Sequence, residues 1–215
     1  MSGTYRLDRE RGSLFDSEGR RFDPAQRTWL SEPAKKPRTA KLESLDALGA
    51  VTWLQRESGQ PLRVPVGVVG PREATAAQLA AALKVGELLG DCRLAVLCGG
   101  RQGVMQAVCE GVARVGGLSI GLLPEPDAGE ANRFVGVAIA TGIGEARNAL
   151  IARASFCLIA IGNSLGTLSE VALARQFGKP VIGLEGAAQV EGVRHVASAR
   201  EAVERVARIL LADTR

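Results

Sequence analysis

The sequence predicts an α/β fold with a mainly parallel, doubly wound sheet. After Leu62, short apolar segments alternate with longer segments of helical periodicity, and glycines follow most of the apolar ends. Hydrophobic residues make up 46% of the 215 residues and aromatic residues only 4%, with 26 glycines, so the interior should be aliphatic and contain many tight turns. Both features are typical of parallel strands that are connected by helices.

The first 61 residues follow a different pattern. Residues 31–41 contain two prolines and clustered lysines, which indicates a solvated connector, and a helix is expected from about residue 42 to residue 57. We therefore expect an appendage over residues 1–61, made of a short β-ribbon, a linker and a helix, and a main domain over residues 62–215. The ribbon strands are predicted at residues 4–7, 13–16 and 20–22, with a tight turn at 17–19.

The first half of the main domain supplies three predicted strands. Residues 63–70, which are mainly apolar and rich in valine, predict the first strand. The Ala-rich stretch 75–89 predicts a helix that Gly90 ends in a left-handed conformation. Residues 93–98 predict the second strand. Valines at helical spacing indicate the next helix, and residues 118–123 predict the third strand.

The second half of the main domain continues the alternation with three more strands and three more helices. Right-handed crossovers between such strands give a Rossmann-like doubly wound sheet with helices on both faces. Ligands of these sheets bind beyond the carboxyl ends of the strands. The elements are strands over 134–140, 156–161 and 180–184, a helix ending near Ala154, a helix over 167–177, and a last helix from Ser198, which forms a capping box with Glu201.

Charge and hydropathy narrow the range of functions. The net charge of +4 is concentrated at the start of the chain, because residues 1–44 carry +3 and the remainder only +1. Nucleic acid is therefore not an expected partner. No apolar run approaches the roughly 20 residues of a membrane span, and the polar N-terminus lacks a signal-peptide core. We expect a cytoplasmic protein without a membrane segment.

Cysteine and histidine usage argues against a metal site. The four cysteines contain no C-x-x-C pair, so buried reduced thiols are expected. His195 is the only histidine and lies far from the glycine-rich loops, which leaves a His-based metal centre or a Ser-His-Asp hydrolase without support. The cysteines are Cys92, Cys98, Cys109 and Cys157.

Three glycine-rich loops follow predicted strands and should emerge at one edge of the sheet. Glycines let the backbone approach a phosphate, and the N-terminus of a helix adds a favourable dipole. No G-x-x-x-x-G-K-[ST] occurs, and G-x-G-x-x-G is absent at the first strand, so ATP hydrolysis and nicotinamide chemistry lose support. The candidate phosphate-binding residues in these loops are Gly70, Pro71, Gly99, Gly100, Arg101, Gly103, Asn163, Ser164, Gly166 and Thr167.

Three segments carry a family resemblance. CGGRQGVMQAV, TGIGEARNALIARAS and IGNSLGTLSEVALARQFGKPVIGL occur in this order. Together they resemble the molybdenum cofactor carrier proteins and their bacterial relatives, within a superfamily that includes the LONELY GUY phosphoribohydrolases. The resemblance covers about residues 64–206. It implies a phosphorylated small-molecule ligand, either a nucleotide or a molybdopterin-type cofactor, a homodimer or higher homo-oligomer, and no required cofactor.

The same resemblance implies a catalytic or binding pair. The phosphoribohydrolases have an Arg-Lys pair followed by P-G-G-x-G-T-x-x-E, with the Arg and the Glu as catalytic residues, and Arg147 and Glu170 match these positions. Arg147 would hold the phosphate or ribose, while Glu170 would orient a ribose hydroxyl or activate water. Asn148 replaces the Lys, and Asn163 and Ser164 stand at positions where that family has glycines. The Arg-Asn sequence favours the carrier branch.

Several alternatives remain open. Thr167 and Glu170 fit a capping box, so Glu170 could reach back to the start of its own helix, and Arg101 could be a solvated side chain. Arg147 could simply pair with Glu145 or with a neighbouring helix. For the whole chain, we expect a carrier-like binding protein for a phosphorylated heterocycle. The alternative is a nucleoside 5'-monophosphate phosphoribohydrolase that cleaves the N-glycosidic bond. A third hypothesis is an oligomeric scaffold with a vestigial site.

Overall fold

A computed structural model describes residues 5–31 and 42–213 of the chain. Most of the expected connector over residues 31–41 lies outside the described residues. Among the described residues, no helix combines the length and the apolar character that a membrane span requires. The chain divides into two compact units. The smaller unit comprises Met1–Leu62 and Glu204–Arg215, and the larger unit comprises Arg63–Val203. The division into two domains stays a prediction.

The smaller unit contains a five-stranded antiparallel sheet where the sequence predicted a three-stranded ribbon. An aspartate lies at the end of β1 and of β3 and directly after β2, and these aspartates accept backbone N–H groups of the turns that follow them. The two strands that were missed have only three residues each and lack clear alternation. The strands are β1 (Tyr5–Asp8), β2 (Ser13–Phe15), β3 (Arg21–Asp23), β4 (Thr28–Leu30) and β5 (Glu43–Leu45), in the order β4-β3-β2-β1-β5.

The first helix starts later than the sequence predicted. Residues 43–45 are extended because they pair with β1, and the helix α1 covers only Ala47–Arg56. Asp46 caps it by accepting the backbone N–H of Gly49 at 2.8 Å. The end of the chain completes this unit, since the Tyr5 hydroxyl donates to the Asp213 carboxylate at 2.6 Å.

The larger unit is built on a seven-stranded sheet in which every strand pairing is parallel. The chain starts at a central strand, adds three strands on one side and then three on the other. This order confirms the doubly wound, Rossmann-like fold. The strands are β6 (Val66–Val69), β7 (Val96–Cys98), β8 (Ser119–Leu123), β9 (Val137–Ala140), β10 (Leu158–Ile161), β11 (Val181–Leu184) and β12 (Val193–His195), in the order β12-β11-β10-β6-β7-β8-β9.

The strand β12 was not predicted from the sequence. It is short and largely exposed, so it lacks the apolar run that marks the central strands, and it contains the only histidine. Two helix pairs pack together, α2 with α3 and α4 with α5, and the general rule that such crossovers are right-handed puts the two pairs on opposite faces of the sheet. The helices are α2 (Ala76–Asp91), α3 (Val104–Arg114), α4 (Asn148–Ala154), α5 (Leu165–Gln176) and α6 (Ala199–Leu210).

The prediction that Gly90 ends α2 in a left-handed conformation is wrong. Gly90 lies inside the helix, and the residue with positive φ is Arg93, at 58°. A side chain at Gly90 would meet Val115, so this glycine makes room for a neighbour. The same device operates at Gly86 and Gly111, where an added Cβ would collide with the backbone of the facing helix. Glycine therefore allows α2 and α3 to pack in close contact.

Candidate functional site

A cavity of about 770 Å³ opens at the carboxyl edge of the large sheet. The strand order changes direction between β6 and β10, so the loops after these two strands lie side by side, as expected of a topological switch point. Nine of the predicted site residues line the cavity. They are Gly70, Pro71, Arg147, Asn148, Asn163, Ser164, Gly166, Thr167 and Glu170.

Arg147 is held in the cavity wall by two neighbours. Its Nη1 donates to Asn148 Oδ1 at 2.5 Å and to Glu170 Oε1 at 3.3 Å, and its side chain is only 5% exposed. Asn148 in turn donates its Nδ2 to Ser169 Oγ at 3.0 Å, which ties the start of α4 to α5. The Nε of Arg147 is buried and has no hydrogen-bond partner among the described residues. The guanidinium is thus fixed in position, with donor capacity left over.

Glu170 binds Arg147 and not the start of its own helix. The N-cap of α5 is Ser164, whose Oγ accepts the backbone N–H of Thr167 at 3.1 Å. The helix therefore begins two residues before the predicted start at Thr167, and the capping box of Thr167 with Glu170 is wrong. The reason is that Ser164 satisfies the N–H group that such a box would serve.

Burial controls the protonation of Glu170. Burial away from water raises the pKa of Glu170 from its usual 4.5 to about 8. The guanidinium of Arg147 lowers this pKa, and the carboxylate of Glu145 raises it, but both effects are smaller than that of burial. The carboxyl is therefore mostly neutral at pH 7. A neutral Glu170 can donate a hydrogen bond to a ligand and does not repel an anion.

A second arginine, Arg72, lines the same cavity from the loop after β6. Glu145 lies between the two arginines, with Oε1 3.6 Å from Arg72 Nη2 and Oε2 4.0 Å from Arg147 Nη2. Arg72 is 46% exposed and Glu145 64% exposed. The cavity thus contains two cationic groups that already face a carboxylate.

The N-terminus of α5 also faces the cavity. The first N–H groups of a helix have no acceptor within the helix, and Ser164 takes up the one at Thr167. The hydroxyl of Thr167 is buried against Ser164 Oγ at 2.9 Å. The N–H groups of Leu165 and Gly166, which also line the cavity, have no acceptor within the helix.

Comparison with known proteins identifies the family. Residues 63–212 match the model of the SLOG cluster4 family. The chain belongs to the SLOG cluster4 family. An uncharacterized protein of Archaeoglobus fulgidus is 37% identical over 138 residues, which are 64% of this chain and 91% of that protein.

Solved structures extend the comparison of this SLOG cluster4 chain. The molybdenum cofactor binding protein of Rippkaea orientalis has a TM-score of 0.66 and 36% identity, covering 69% of this chain and 99% of its own. The molybdenum cofactor carrier protein of Chlamydomonas reinhardtii has a TM-score of 0.63 and 33% identity, covering 70% and 99%. The resemblance to molybdenum cofactor carriers is confirmed.

The remaining predicted site residues lie outside the lining of this cavity, as far as the structure describes it. Gly99 lies beneath Arg147, since an added Cβ would come within 2.7 Å of Nη2, and Gly103 packs on the carbonyl of Arg72. Gly100 has a φ of 72° and packs against Gly121. Gly99 and Gly103 thus pack closely against the two arginines, whereas Gly100 does not contact them. Their role as phosphate ligands stays a prediction.

Arg101 is engaged by a carboxylate. Its Nη1 lies 2.8 Å from Oε1 of Glu125, and both side chains are about three-quarters buried. The second carboxylate oxygen of Glu125 is buried without a hydrogen-bond partner among the described residues. The alternative that Arg101 is a solvated side chain is therefore wrong. Phosphate binding by Arg101 stays a prediction.

The cysteines are free and buried, as the sequence predicted. Cys98 and Cys109 are neighbours, with their sulfur atoms 3.5 Å apart, and burial raises the pKa of Cys157 to about 12. In the part of the chain that the structure describes, no group of three or more His, Cys, Asp or Glu side chains could hold a metal ion.

Sequence reasoning missed several residues of the cavity. Arg72 stood in a predicted loop without an assigned role, and an arginine directly after a Gly-Pro turn at a strand end was an available signal. Glu145 precedes Arg147 by two positions, but its contact with Arg72 joins residues that are far apart in sequence, so no local spacing indicates it. The additional lining residues are Arg72, Glu73, Met105, Glu145, Leu165 and Ser169.

Proposed function

We propose that this SLOG cluster4 chain binds a phosphorylated heterocycle, either a nucleotide or a molybdopterin-type cofactor, and acts as a carrier. The observation that carries the proposal is the fixed guanidinium of Arg147 at the switch-point cavity. A buried arginine pre-set by two neighbours can donate to phosphate oxygens without losing side-chain freedom on binding.

The proposed ligand arrangement follows from the donors around the cavity. Arg147, Arg72 and the N–H groups at the start of α5 would hold the phosphate. A cavity of about 770 Å³ is large enough for a heterocycle with its sugar or pyran ring. Similarity to a molybdenum cofactor binding protein and a carrier protein supports a cofactor ligand.

Direct binding measurements test this proposal. The purified chain is titrated calorimetrically with AMP, GMP and molybdopterin, and retention of each ligand is measured by native mass spectrometry. Adenosine serves as the control ligand because it lacks the phosphate. We expect at least one phosphorylated ligand to bind and adenosine to bind much more weakly; equal affinity for AMP and adenosine, with no binding of molybdopterin, would contradict the proposal.

A matched pair of variants locates the site. Arg147→Lys keeps the charge but removes the planar donor fork, so it should weaken ligand binding by roughly tenfold or more. Arg133→Ala removes an arginine that stacks on Phe134 outside the cavity lining, and should leave binding unchanged. Equal loss in both variants would argue against the cavity as the site.

The contact between Arg147 and Glu170 favours a second candidate, a nucleoside 5'-monophosphate phosphoribohydrolase. This activity needs an ionised Glu170 to activate water or orient a ribose hydroxyl, whereas burial keeps the carboxyl mostly neutral at pH 7. Incubation with AMP at about pH 9, followed by chromatography for adenine and ribose 5-phosphate, tests it. Release that Glu170→Gln abolishes would establish the hydrolase in place of the carrier.

Assembly and location belong to the same proposal. We propose a homo-oligomer, as the carrier resemblance implies, and a cytoplasmic location, as the sequence led us to expect. Light scattering coupled to size exclusion measures the mass in solution, and a mass of one chain would contradict the oligomer. Fractionation of cells that express the chain checks the location.

A further inference from the structure

Glu145 lies where it meets both arginines of the proposed phosphate site. Its two carboxylate oxygens face different partners, Oε1 facing Arg72 at 3.6 Å and Oε2 facing Arg147 at 4.0 Å. We propose that Glu145 is an internal competitor of the ligand's phosphate, which must displace it from the two guanidinium groups. This inference rests on the proposed phosphate-binding function and adds a residue that sets the affinity for anions.

The charges around the cavity support competition. Two arginines and three glutamates line it, so the cavity has no excess of positive charge to offer an anion. Burial raises the pKa of Glu170 to about 8 and leaves that carboxyl mostly neutral at pH 7. Glu145 and Glu73 then balance the arginines. An incoming phosphate gains the full attraction of Arg72 and Arg147 only when Glu145 moves away from them.

The structure allows Glu145 to leave while Arg147 stays. Glu145 is 64% exposed, so its carboxylate can turn into water without becoming a buried, unpaired charge. Arg147 is 5% exposed and remains bonded to Asn148 and Glu170. Displacement of Glu145 therefore opens the site without disturbing the arginine that the ligand needs.

Competition of this kind discriminates between ligand charges. A phosphomonoester carries a charge of about −2 above its second pKa near 6, whereas a phosphodiester carries −1. A monoanion that replaces the Glu145 carboxylate exchanges one negative charge for another and gains little. A dianion brings one more negative charge to the arginines than it displaces. The inferred ligand class is therefore a terminal phosphomonoester.

The experiment compares two neutralised glutamates. Wild type, Glu145→Gln and Glu73→Gln are titrated with inorganic phosphate, AMP and 3',5'-cyclic AMP by calorimetry, after thermal melting has verified that all three proteins fold. Both substitutions remove one negative charge from the lining of the same cavity, but only the first breaks the contacts with the arginines. Glu73→Gln is therefore the matched control for overall charge.

We expect Glu145→Gln to tighten AMP and phosphate binding by roughly three- to tenfold and Glu73→Gln by less than about twofold. Cyclic AMP should gain about as much as AMP in Glu145→Gln, because both ligands displace the same carboxylate in wild type. If wild type binds AMP and Glu145→Gln binds it no more tightly than Glu73→Gln, the inference is wrong while the proposed function stands. If none of the three proteins binds phosphate, AMP or cyclic AMP, and wild type does not bind molybdopterin either, the phosphate site itself is overturned.

Discussion

Arg147 and Glu170 lie side by side, with Nη1 3.3 Å from Oε1, and neither side chain is more than 8% exposed. They come from positions 23 residues apart, before α4 and inside α5. Because the surroundings exclude water, burial has a larger effect on Glu170 than the neighbouring cation, and its pKa rises. The burial of Glu170 beside Arg147 therefore makes the stability of the folded protein depend on pH.

Glu170→Gln should change how stability depends on pH. The folded protein keeps a proton on Glu170 between about pH 4.5 and its raised pKa of about 8, where the unfolded chain has lost it. Wild type therefore loses free energy of unfolding as pH rises through this window. The variant should gain stability relative to wild type from about pH 5 to about pH 9, measured by urea denaturation. A constant difference across this range would contradict the raised pKa.

Replacing Ser164 should lower the stability of the fold and raise the affinity for anions. Ser164→Ala removes the cap of α5 and should cost about 1 kcal/mol, whereas Ser164→Gly should cost only a few tenths. Both changes release the N–H of Thr167, so phosphate affinity should rise. Thermal melting and phosphate titration measure the two effects. Unchanged affinity in both variants would mean that this helix terminus does not contact the anion.

Gly111→Ala should destabilise the contact between α2 and α3. A Cβ at this position collides with the carbonyl oxygen of Leu83, and overpacking of this kind costs about 1–3 kcal/mol. Gly166→Ala is the matched control, because its nearest atom would be Ser164 Oγ at 3.9 Å and alanine favours a helix. Denaturant unfolding without ligand should separate the two variants, and similar stabilities would argue against the close helix contact.

Tyr5→Phe should lower the free energy of unfolding by about 1–3 kcal/mol. The substitution keeps the ring that stacks on Trp29 but removes the hydroxyl that donates to the buried Asp213 carboxylate. The loss should be smaller in Tyr5→Phe/Asp213→Asn than the sum of the single changes, which a double-mutant cycle measures. Additive effects would show that the two groups do not interact in solution.

Local sequence signals were sufficient for six of the seven strands of the main sheet and for nine of the residues that line the cavity. Apolar runs that end in glycines indicate the strands. Ligands of doubly wound sheets bind at the carboxyl ends of the strands, which predicts that the loops after β6 and β10 lie together. The position of Arg147 beside Glu170 followed from the family pattern. None of these steps requires knowledge of side-chain contacts.

The remainder depends on contacts that no local pattern encodes. Residues 43–45 continue a helical pattern in the sequence, but pairing with β1 makes them extended. Gly90 is a residue type that often ends a helix, but here it lies inside α2 and makes room for Val115. Arg72 and Glu145 meet only because the fold places two loops at one edge. Tertiary contacts thus override propensity at these positions.

The hydrogen bonds of the smaller unit have a consequence for synthesis on the ribosome. Tyr5 and Trp29 are made before the α/β unit, and their partners at Asp213 and Leu211 lie 208 and 182 positions later, after that unit. The antiparallel sheet therefore cannot complete its contacts until the whole α/β unit has been translated. Until α6 and the residues after it have been synthesised, the aromatic face of that sheet lacks these two partners.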